Sequence, residues 1–125
     1  SLCERDRQQL RQDQRRHSPA DGEFAGTRIN IYQTGSSFDG KLIVVTKPIV
    51  AECDETNSIK WMNMYEVKEN QYNMIEITKN PKDCSDVYNY RNLDFKDSNT
   101  ITVSPVSPNQ NMTGGVQTWI KITSE

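Results

Sequence analysis

Apolar and polar residues alternate along three stretches of this chain, Ile29 to Val45, Trp61 to Thr78 and Ile101 to Thr123, and turn-forming residues interrupt each stretch. Two alternating runs around a turn-rich connector are the local pattern of an antiparallel β-hairpin. In the first hairpin Ile29 and Ile31 alternate with Asn30 and Tyr32, and Leu42 to Val45 is a continuous apolar run. Asp39-Gly40 is the expected two-residue turn, with Gly35 as a bulge in a long first strand; the Thr34 to Ser37 cluster is the alternative. Lys47-Pro48 then breaks the pairing, and Ile49 to Cys53 is expected to resume as an edge strand.

In the second hairpin Trp61, Asn63, Tyr65 and Val67 fall on one face, and Met62, Met64 and Glu66 on the other. Aligning Ile75 and Ile77 with Val67 and Tyr65 makes one mostly apolar face, and it sets Glu66 opposite Glu76. A further strand is expected over Val87 to Phe95, where the change of phase from Tyr88 and Tyr90 to Leu93 and Phe95 points to a bulge. In the last strand Gln117, Trp119 and Lys121 share a face, and these polar neighbours place Trp119 at a rim or mouth.

The N-terminal segment is different. Ser1 to His17 is rich in Gln, Arg and Asp and contains no Gly or Pro, a composition that favours helix. Cys3 and Leu10 form a narrow stripe on one side of that helix, and Pro19-Ala20-Asp21-Gly22 ends it. Residues 1–23 are therefore expected to be a helical segment and turn, and residues 24–125 a single β domain. The expected fold is all-β: a small antiparallel barrel of six to eight strands with a short N-terminal α-helix. A sandwich, or a trefoil of the three hairpins, is the alternative.

Charge narrows the partners. Residues 1 to 17 hold five arginines against Glu4, Asp6 and Asp13, so the other 108 residues carry −4 of the overall −2. A β domain with that balance offers no basic face, and no nucleic-acid partner is expected. The arginines read as the solvated face of the helix. No run of 18 or more apolar residues exists, so no membrane span is expected.

Cys3, Cys53 and Cys84 make an odd count. Cys53 and Cys84 lie just outside successive hairpins and are the expected disulfide, with Cys3 left over; pairing of Cys3 with either is the alternative. The disulfide, the opening Ser in place of Met and the glycosylation acceptor Asn111 in Asn111-Met112-Thr113 together predict a secreted, extracellular protein.

No enzymatic motif stands out. The single His17 lies in the polar N-terminal segment, and no phosphate loop, dinucleotide fingerprint or nucleophile elbow is present. Glu66 and Glu76 could serve as an acid and base only beside a cleft. The oxygens of Asp83 and Asp86, and of Asp94, Asp97 and Asn99, do not match calcium-loop spacing and read as polar turns. No catalytic residue, metal or cofactor is expected. What the sequence does supply is soft and aromatic surface: Trp61, Met62, Met64, Tyr65, Met74 and Trp119 are the expected ligand-binding residues. The predicted function is noncovalent recognition of an apolar small molecule or a partner protein by a β-barrel. The alternative is an assembly component that docks through its N-terminal helix and an exposed strand edge.

Overall fold

A computed structural model describes residues 26–46, 53–106 and 116–121, together with the backbone of Arg7–Gln12. Seven antiparallel strands follow one another in chain order: β2 (Arg28–Thr34), β3 (Ser37–Val44), β4 (Ile59–Lys68), β5 (Gln71–Lys79), β6 (Asp86–Phe95), β7 (Thr100–Pro105) and β8 (Gln117–Lys121). Each pairs with the next, and the sheet curls into a half-barrel. Alternation places one side of every strand on the concave face. Ile29, Ile31, Phe38, Trp61, Met64, Tyr72, Met74, Leu93, Ile101, Val103 and Trp119 meet there as one core cluster. Burying a side chain such as Leu93 or Ile101 completely contributes about 1.5–3 kcal/mol each.

The two ends of the sheet are built differently. At one end the connections are tight: Gly35-Ser36 between β2 and β3, Glu69-Asn70 between β4 and β5, and residues 96–99 between β6 and β7. Gly35 at φ 63° and Asn70 at φ 64° take the left-handed conformations that such turns require. At the other end residues 45–58, 80–85 and 106–116 make longer connections. A disulfide between Cys53 and Cys84 ties two of them together. Beneath it, on the convex side, Lys60 Nζ donates to the Ile77 carbonyl at 3.1 Å and lies 3.9 Å from the buried Glu55 carboxylate.

Several expectations are corrected. The first turn is Gly35-Ser36, and Asp39-Gly40 lies within β3. There Gly40 passes under Trp61, and Asp39 Oδ1 accepts the Asn63 N–H at 3.1 Å, so the pair accommodates β4 instead of turning the chain. The second hairpin pairs Trp61 with Glu76, Met62 with Ile75 and Glu66 with Tyr72, so Glu66 does not face Glu76. Its register follows from the tight Glu69-Asn70 turn and from two irregularities, one between Met62 and Tyr65 and one between Glu66 and Lys68. Asn63 sits in the first irregularity at φ 55°, a left-handed conformation that asparagine tolerates well. One extra residue there reverses the alternation, which turns both Trp61 and Met64 inward and leaves Tyr65 outside.

The β5–β6 ladder is regular from Gln71↔Asp94 to Lys79↔Asp86 and contains no bulge. Tyr88 and Tyr90 simply face out, while Arg91 and Leu93 face in. Trp119 is core and not rim: its ring is 2% exposed, because its polar neighbour Gln117 shares the interior with it. The helix expected over residues 1–17 lies mostly outside the described residues, and Arg7–Gln12 (β1) is extended. Cys3, His17 and the acceptor Asn111 also lie outside them, as does most of the Ile49 to Cys53 edge strand; Cys53 itself is in a connection.

Candidate ligand site on the concave face

Four of the six expected binding residues come together. Trp61, Met64, Met74 and Trp119 line the interior, and the two indoles stand edge to face with centroids 4.9 Å apart and planes at 77°. Such an aromatic pair contributes about 0.5–1.5 kcal/mol beyond its buried area. Met62 and Tyr65 lie on the convex face, Tyr65 half exposed. Met62 there borders a shallow open groove with Ile59, Ile77 and Tyr88. Lys79 flanks the groove and donates to Asp86 Oδ1 at 2.6 Å; that hydrogen bond raises the lysine's pKa above its usual value.

The interior also holds polar groups that sequence reasoning did not assign to it. Glu76 and Arg91, 2% and 4% exposed, form an ion pair in which Arg91 Nε donates to Glu76 Oε1 at 3.1 Å. Gln117 Nε2 donates to Glu76 Oε2 at 3.3 Å, and Gln117 Oε1 accepts the Trp119 Nε1–H at 3.1 Å. Arg91 Nη1 also donates to the Tyr90 carbonyl at 3.3 Å. A hydrogen-bonded chain thus runs from β6 through β5 to β8 inside an otherwise apolar core. Its members could have been found from alternation alone. Glu76 follows Tyr72 and Met74 at two-residue steps, and Arg91 precedes Leu93 and Phe95 in the same way.

Trp61 completes the group. It is the cross-strand partner of Glu76 and the ring partner of Trp119, yet its own buried Nε1–H has no hydrogen-bond partner. Among the described residues Oδ1 of Asn30 is in the same condition, and alternation puts it on the opposite side of β2 from Ile29 and Ile31.

No family model, curated protein or solved structure matches this chain.

The chemistry of the site therefore rests on the residues themselves. The carboxylate oxygens of Glu76 are both engaged, Glu66 is exposed at the turn end of β4, where its Oε2 accepts the Asn70 N–H at 3.3 Å, and the two acids do not form an acid–base pair. Among the described residues no group of three or more His, Cys, Asp and Glu side chains is arranged to hold a metal ion. The clustered turn acids cap backbone instead: Asp83 Oδ1 accepts from the Ser85 N–H and hydroxyl, and Asp97 Oδ1 from the Asn99 N–H. Two soft methionines, two indoles and one neutralised ion pair make an arrangement suited to noncovalent recognition.

Proposed function

We propose that this chain is a secreted, noncovalent binding protein whose strands close into a small barrel around a mainly apolar small molecule. The observation behind the reading is the interior itself. A buried ion pair is often no more stabilising than apolar residues of the same size, so the Glu76–Arg91–Gln117 chain is an expensive way to fill a core. Placed beside Trp61 and Trp119, it supplies the few oriented polar groups that a ligand site needs within apolar walls. Closure is supported by β1, whose backbone register runs against β2 on one side, with Leu10 opposite Ile29, and against β8 on the other, with Leu10 opposite Lys121. Secretion is supported by the Cys53–Cys84 disulfide, since such bonds persist mainly in oxidising compartments.

The two interior tryptophans are built-in reporters. Titration with a panel of apolar ligands of graded size is expected to change tryptophan emission and raise the unfolding temperature for at least one of them. No response across the panel rejects the reading. A second reading, recognition of a partner protein, is favoured by the convex face, where Tyr88 and Tyr90 are 58% and 64% exposed beside Ile75 and Ile77. Silence to every ligand, with a mass that rises with concentration in light scattering, would favour that assembly role.

A further inference from the structure

We infer that the groove on the convex face is a second binding site, and that it takes a linear apolar chain with a cationic head, an alkylammonium ion above all, its head at Asp39 and its chain running toward Tyr88. The inference goes beyond the interior reading and does not rest on it. Unlike the closed core, the groove is open space of about 330 Å³, near the lower end of the range for small-molecule sites. Ile59 and Met62 of β4 and Ile77 of β5 line it between Asp39 on β3 and Tyr88 on β6. From β3 to β6 is three strand spacings, about 14 Å, so an extended chain fits it better than a compact molecule. Tyr88, 58% exposed, leaves its ring open to the far end of that chain.

The lining decides the charge of the head. Lys79 and Asp86 cancel one another, since Lys79 Nζ donates to Asp86 Oδ1 at 2.6 Å. Asp39 remains. It is half-buried, and its Oδ1 accepts the Asn63 N–H at 3.1 Å. Among the described residues no lysine or arginine forms an ion pair with it, including Lys41 on the same face of β3. Its field reaches the cross-strand neighbour Tyr32, whose hydroxyl is held above its usual pKa by burial first and then by the Asp39 charge. A cationic head at Asp39 meets this unbalanced carboxylate, whereas an anionic head is repelled by it. Behind the head, Met62 and Ile77 remove methylene groups from water, and the thioether adapts to the chain.

Three probes sharing one chain test this on the disulfide-intact protein: octylammonium, octanol and octanoate. Octylammonium is expected to bind about fivefold more tightly than octanol, as one partly exposed ion pair allows, and octanoate most weakly of the three. In proton–carbon correlation spectra the Met62 methyl should move and those of Met64 and Met74 stay in place, which separates the groove from the interior. Asp39→Asn keeps an oxygen for the Asn63 N–H and should abolish the preference for octylammonium while leaving the affinity for octanol unchanged. Tyr88→Asn, at an exposed position, should weaken octylammonium and octanol alike. Equal affinity for ammonium and alcohol, a preference that survives Asp39→Asn, or movement of Met64 and Met74 in place of Met62 overturns the inference, and the last of these leaves the interior reading standing. Failure of all three probes also overturns it, and a mass that then rises with concentration in light scattering gives the groove to a second copy of the chain.

Discussion

The indole of Trp61 lies against the backbone of Gly40, so closely that a β-carbon at position 40 would stand 3.2 Å from Trp61 Cε3 and 2.9 Å from Ile29 Cδ1. Glycine is required there by the close approach of β4 to β3 and not by a turn. Gly40→Ala is therefore expected to destabilise the fold by about 1–3 kcal/mol, the usual cost of overpacking. Urea unfolding followed by tryptophan emission measures it, and a shifted emission maximum in the folded variant would show that the Trp61 ring has moved.

The buried ion pair calls for a double-mutant cycle. Glu76→Met leaves a guanidinium in the core and Arg91→Met a carboxylate, so each single change is expected to cost about 3–5 kcal/mol. The double variant replaces both charges with apolar groups and should cost much less than the two singles added together. Additive losses would mean that the pair is not coupled in the folded protein.

Joining residues 31 apart in sequence, the Cys53–Cys84 bond restricts the unfolded chain. Replacing both cysteines by serine is expected to lower stability by about 3–4 kcal/mol. The same fall in urea midpoint should follow reduction of the unmodified protein. A midpoint that does not move in either experiment would contradict a disulfide in the native protein.

Acid should loosen the same region. Asp54, next to Cys53, is held below the usual aspartate pKa first by the Thr56 backbone N–H; Asp83, next to Cys84, is held low first by the Ser85 hydroxyl. A carboxylate with a depressed folded pKa stabilises the fold above its unfolded value, about 4, and that contribution disappears as pH falls through the folded pKa. The unfolding temperature should thus decline between about pH 5 and pH 2. The double variant Asp54→Asn with Asp83→Asn is expected to show a shallower decline, read by thermal scans across that range.

Much of the β structure is legible in the alternation of Ile29 with Ile31, Tyr72 with Met74 and Leu93 with Phe95, because period two is a property of the strand itself. The face assignment of the second hairpin is not. Asn63 is unremarkable as a letter, and only its left-handed backbone shows that the pattern changes sides there. Asp39-Gly40 misleads for a related reason: the residues that favour a tight turn are also those that cap a bulge and admit a large neighbouring ring. The disulfide was readable because its cysteines flank successive hairpins. Glu76 and Arg91 are harder to place, because charged residues usually face water, and only their two-residue spacing from Met74 and Leu93 puts them inside.

The unequal ends of the sheet give this chain two different tolerances to insertion. Adding a residue at Gly35-Ser36 or Glu69-Asn70 shifts a strand by one place and exchanges its inward and outward side chains, which a single core cannot accept. Lengthening the connection at residues 106–116 costs only a slowly growing closure entropy and leaves every strand pair in step. Sequence length can therefore vary at one end without altering what the interior presents, and new peptide segments for display or labelling belong there.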